Sequence, residues 1–73
     1  MNDKHKKIIE ILKERGGKLS LYELYHLIRK NGIYSDEFWI RKALAYLHRR
    51  GLIEVDVLRQ KVMVSEDQLS IVG

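Results

Sequence analysis

The sequence contains no cysteine and no proline, a single tryptophan and a single phenylalanine. It has no apolar run approaching the roughly 18 residues of a membrane span. Without cysteine there is neither a disulfide framework nor a thiolate metal site. A chain of 73 residues, near the low end at which a domain folds alone, must then be held by aliphatic and aromatic packing. Without proline no cis-prolyl turn enters the account. The first residues, Met1 to Lys7, are charged, and no signal-like apolar stretch follows them. The expectation is a cytoplasmic, intracellular protein with no membrane partner.

Catalytic signatures are also missing. His5, His26 and His48 are widely spaced and form no His-Glu-x-x-His pattern. There is no glycine-rich phosphate loop, nucleophile elbow or paired-carboxylate set; Glu10 and Glu14 are simply four apart on one helix. No metal, cofactor, small-molecule substrate or enzymatic activity is expected.

What is present is ordinary globular composition, 45% hydrophobic and 33% charged, with a formal charge of +4. The charge is unevenly placed. Residues 1–50 carry 12 Lys/Arg against 6 Asp/Glu, whereas residues 51–73 carry Arg59 and Lys61 against Glu54, Asp56, Glu66 and Asp67. An anionic partner suits the first part of the chain.

Three helices and a hairpin follow from the periodicity. Lys4 to Arg15 places Ile8, Ile9, Ile11 and Leu12 at helical spacing, with Asp3 as cap and Gly16-Gly17 as stop. Lys18-Leu19 is a short extended link; in many compact three-helix domains such a link pairs with a later hairpin. Ser20 and Glu23 form a capping box ahead of Leu21, Leu24, Tyr25 and Ile28, and Asn31-Gly32 ends that helix. Ser35 is read as the cap of the third helix, with Asp36 and Glu37 in its first turn. Ile40, Ala43, Leu44 and Leu47 make its buried stripe, Trp39 packs on the edge of that stripe, and Gly51 closes the helix. The period then changes to two. Ile53, Val55 and Val57 share one strand face, Leu58-Arg59-Gln60 turns, and Lys61 to Ser65 returns. Residues 1–73 read as one α+β domain, three helices followed by a β-hairpin. Residues 66–73, with Leu69, Ile71 and Val72, form a tail that packs or dimerises.

Two stretches, Leu19-Ser20-Leu21-Tyr22-Glu23-Leu24 and Ile40 through Leu47-His48-Arg49-Arg50-Gly51-Leu52-Ile53, resemble winged helix-turn-helix domains of small prokaryotic and archaeal regulators, archaeal viral ones included. That family opens its second helix on a Ser-x-x-Glu-Leu-like start and ends its third in Leu-x-x-x-Gly-Leu-Ile. The resemblance spans about Ile8 to Ser65. It implies a third helix in the major groove of double-stranded DNA, a hairpin wing on the backbone or minor groove, and in many cases a homodimer. Arg41, Lys42 and Arg59 match positions that commonly face DNA.

The nucleic-acid-binding candidates are Ser35, Glu37, Phe38, Arg41, Lys42, Ala45 and Arg49 around the third helix, and Arg59 and Lys61 on the hairpin. Arginine can read a guanine edge bidentately or clamp phosphate, a carboxylate can accept from cytosine N4, and alanine admits a thymine methyl. The acidic start of the third helix and the negative strands keep a protein–protein interaction module open as the alternative, with RNA binding as a third reading.

Overall fold

The computed structural model describes residues 2–65; the expectations for the 66–73 tail lie outside the described residues. The chain forms a small α+β domain of three helices and a three-stranded antiparallel sheet. The elements run α1 (Asp3–Glu14), β1 (Lys18–Ser20), α2 (Leu21–Lys30), α3 (Glu37–Arg49), β2 (Ile53–Asp56) and β3 (Lys61–Val64).

Each helix starts on a side-chain acceptor, though two caps lie one residue from where the sequence suggests. Asn2, not Asp3, caps α1: its side-chain oxygen accepts from the His5 amide at 2.8 Å. Asp3 is already helical, where its carboxylate still suits the positive helix end. Asp36, not Ser35, caps α3, accepting from the Phe38 amide at 2.9 Å. Aspartate and serine cap about equally well, so the choice rests on which backbone is extended where the helix begins. The Ser20 hydroxyl accepts from the Glu23 amide at 3.0 Å, as expected. The Glu23 carboxylate does not complete the capping box; it lies 3.4 Å from Nη1 of Arg15.

All three helices end in the same Schellman arrangement. In α1 the amides of Gly16 and Gly17 donate to Lys13 and Leu12; in α2 those of Gly32 and Ile33 donate to Arg29 and Ile28. In α3 those of Gly51 and Leu52 donate to His48 and Leu47. The residue after each cap must enter the left-handed region, and Gly51 does so at φ +72°.

The strand order is β1-β3-β2, so the extended link after α1 is a true edge strand. Leu19 lies opposite Val62, and Val62 opposite Val55. Two further bonds close the sheet onto the helix ends: Val64 donates to the Gly17 carbonyl at 2.8 Å and Ser65 to that of Leu52 at 3.1 Å. β2 ends at Asp56, which corrects the placement of Val57 on the buried strand face. Val57 opens a four-residue turn and is 77% exposed.

The core is wholly apolar. Ile8, Leu12, Leu24, Ile28, Ile40 and Leu47 from the helices meet Ile53 and Val62 from the sheet, and among the described residues no polar side chain is buried with them. Trp39 is not on the edge of this core; it is 53% exposed and packs edge-on to Phe38 at 5.3 Å. Tyr46 instead fills that flank of α3, stacking on His5 at 4.8 Å. Lys4 lies over the Tyr34 ring at 4.7 Å and joins α1 to the α2–α3 connection. Among the described residues no helix is long and apolar enough to cross a membrane.

Two predictions concern stability. A Cβ on Gly51 meets no atom within 4 Å, so Gly51→Ala carries only the backbone penalty of the left-handed region. It should lower unfolding free energy by about 1–2 kcal/mol in urea titration. Burial lowers the pKa of His5 from its ordinary 6.5, and its Nδ1 has no partner among the described residues. The unfolded chain therefore binds the proton more readily. The neutral-imidazole contribution is complete above pH 6.5 and is lost as pH falls below it, levelling off under the lowered folded value. The His5→Phe variant, which keeps the stack on Tyr46, should show a flatter decline of Tm as pH falls from about 7 to 5.

Candidate nucleic-acid interface

The four buried positions of α3, Ile40, Ala43, Leu44 and Leu47, turn the opposite face outward. Phe38, Lys42, Ala45 and Arg49 lie along that face, with Glu37, Arg41 and His48 on its flank toward α2 and the hairpin. All of these side chains are exposed, as are Ser35, Arg59 and Lys61, so each sequence-derived candidate is on the surface. Ser35 stands outside the helix, one residue before its cap.

The tertiary arrangement joins only some of them. Arg41, Ala45 and His48 of α3, Leu21 and Tyr25 of α2, and Val55 and Val57 line an open groove of about 310 Å³. A second cleft of about 370 Å³ adjoins it, lined by Glu37 and Arg41 with Tyr22, Tyr25, His26, Arg29 and Gln60. Arg41 belongs to both and stands where helix, helix and hairpin meet. Phe38 and Lys42 form a separate pair, the ammonium 5.4 Å from the ring centroid.

Arg59 and Lys61 are the chain neighbours of Gln60, which lines the second cleft. The Arg59 amide donates to Oδ1 of Asp56 at 3.1 Å, and its Nε lies 4.0 Å from Oδ2. The contact is long and the guanidinium side chain is 80% exposed, so the charge stays available to an outside anion. Lys61 opens β3 opposite Asp56. Among the described residues only Arg15–Glu23 and Arg59–Asp56 form ion pairs. Arg29, Arg41, Lys42 and Arg49 have no carboxylate partner within that set.

Sequence reasoning missed Tyr25, His26, Arg29, Gln60 and Val57 as members of the site. Helical spacing assigns Tyr25 to the apolar side of α2, and nothing local says that this side faces a hairpin. Arg29 lies 5.8 Å from the Tyr25 ring centroid, which sets one more cation at the cleft.

Comparison of the chain with protein-family models, with curated proteins and with solved structures returned no match.

The exposed face should be separable from the fold. Phe38→Ala removes an aromatic that is 55% exposed. It should cost no more than about 1 kcal/mol, the size of an exposed cation–π contact. Ile40→Ala, two positions on and fully buried, should cost about 2–5 kcal/mol. Chemical denaturation of the two variants side by side checks this.

Proposed function

We propose that the chain is a winged helix-turn-helix domain that binds double-stranded DNA sequence-specifically and regulates transcription. In this reading α3 enters the major groove and the β2–β3 hairpin is the wing, on the backbone or in the minor groove. The observation that carries it is the outward face of α3, with Arg41, Lys42 and Arg49 unpaired among the described residues, together with the exposed cations Arg59 and Lys61 on the hairpin whose β2 strand packs on α3. An α-helix fits the major groove, about 12 Å wide. The domain's longest extent, 34 Å, lets one copy address a major groove and the minor groove next to it. Lysine and arginine on phosphate set register, and Arg41, which lines both clefts, is assigned to a base edge.

A homodimer belongs to the proposal, because one small module buries limited DNA surface and two-fold sites double it. Of the apolar residues of α1, Ile8 and Ile9 are committed to the chain's own core and Ile11, half-buried, is left to contribute to such a contact. One observation favours the second reading, a protein-interaction module: Phe38 and Trp39 stand side by side, both more than half exposed, next to Asp36 and Glu37.

Fluorescence anisotropy with random duplex DNA at several salt concentrations separates the two. Phosphate binding gives an affinity falling with log salt at a slope of about −0.9 per neutralised phosphate. On a site selected from the random pool, Arg41→Ala should lower the preference for target over scrambled duplex by about 1–3 kcal/mol. Arg59→Ala should weaken both duplexes equally. Absence of binding at low salt would overturn the DNA reading in favour of the protein partner.

A further inference from the structure

The hairpin tip leads with two apolar residues ahead of its cation, where a simple phosphate-binding wing would be basic throughout. Val57 and Leu58 lead the turn, and Leu58 is 97% exposed, the most exposed large hydrophobic among the described residues. None of the described residues covers this side chain, which stands almost wholly in water.

The tip is also firmly built. The Asp56 carboxylate accepts from the Arg59 amide on one side of Leu58, and Gln60 donates back to the Val57 carbonyl at 3.3 Å. Gln60 takes the left-handed conformation, φ 53°, the sole non-glycine residue to do so among the described residues. Its carbonyl accepts from the Leu21 amide at 2.7 Å, which ties the turn to the first residue of α2. Leu58 therefore projects from a turn that is closed within itself and clamped to a helix. Arg59 follows it directly, exposed and cationic. Val57 lines the same groove as Arg41, Ala45 and His48, so the tip and the outward face of α3 belong to one side of the molecule.

We propose that Leu58 is a wedge that enters the minor groove and partly unstacks a base step beside the site read by α3, with Arg59 on the adjacent backbone; this rests on the DNA-binding reading. Apolar side chains carried by rigid elements open base steps in this way and bend the duplex toward the major groove. Pyrimidine–purine steps, above all TA, open most easily. The wedge would thus add sequence preference at a step that no hydrogen bond reads. It also accounts for an exposed leucine and a cation placed next to each other at the apex, since the first opens the step and the second holds the phosphate.

The test uses the full chain and a duplex selected from a random pool, with 2-aminopurine replacing adenine at each TA step within and beside the site. Wild type and Leu58→Phe should raise 2-aminopurine fluorescence at one step by about twofold or more, as unstacking of that base requires. Leu58→Ser should abolish the rise and reduce end-to-end energy transfer in a doubly labelled duplex. Leu58 is outside the core, so Leu58→Ser should keep the wild-type circular dichroism spectrum and melting curve. Duplex binding without a rise at any step, or with a rise unchanged in Leu58→Ser, overturns the wedge and leaves the DNA-binding reading standing. Absence of duplex binding by the wild-type chain overturns both.

Discussion

Everything in this domain depends on β3 having a partner on each side. Lys61 to Val64 is the middle strand, with β2 supplied by the hairpin and β1 supplied from between the first two helices. An isolated two-stranded hairpin is marginal in water, and the third strand changes that. Val62 is fully buried because Leu19 covers it from one side, Val55 from the other, and the helices from above. The Val64–Gly17 and Ser65–Leu52 bonds then fix the sheet to the ends of α1 and α3. The hairpin cannot rotate against the helices without breaking these, and its tip is held by the bond from Leu21 to Gln60. The position of the hairpin beside α3 is thus a property of the whole sheet.

The division of α3 follows from the same packing. Four apolar side chains face the core, and the opposite side is left to a mixture of cations, aromatics and a small residue. Asp36 and Glu37 temper this surface at its N-terminal end, where they stabilise the helix and oppose an approaching phosphate. Anion contact is better supported by the middle and last turns, where Arg41, Lys42 and Arg49 stand, than by the helix start. That distribution matches a helix laid along a groove more closely than one pointed into it end-on.

Much of the architecture was legible in the sequence because its signals are local. Ser20 before Glu23, the three glycine stops and the change of period at Leu52 each depend on a few neighbouring residues, and the elements stand where these signals put them. The errors lie where two local signals tie. Ser35 and Asp36 both cap, and the backbone alone decides between them. Alternation makes Val57 look like a strand residue, although the chain has already begun to turn. Trp39 and Tyr46 are seven residues apart and share one flank of α3, but the partner that covers this flank, His5 of α1, lies against Tyr46, and Trp39 in the first turn stays exposed. The site was legible as a collection of exposed side chains and not as a place. Arg41 could be singled out from the third helix, but its company with Tyr25, Arg29 and Gln60 is made by contacts between elements distant in the chain.

The register of the edge strand has a bearing on how the molecule comes into being. Lys18 lies opposite Met63, so the edge strand must wait for a segment made much later before its amides are paired. The caps and stops of the helices, by contrast, are all near neighbours in sequence. Leu19 has no cover until Val62 emerges. The sheet therefore closes last. Until it does, the nascent chain exposes Leu19 and an unpaired strand edge, which is the interval in which aggregation or a chaperone competes with folding.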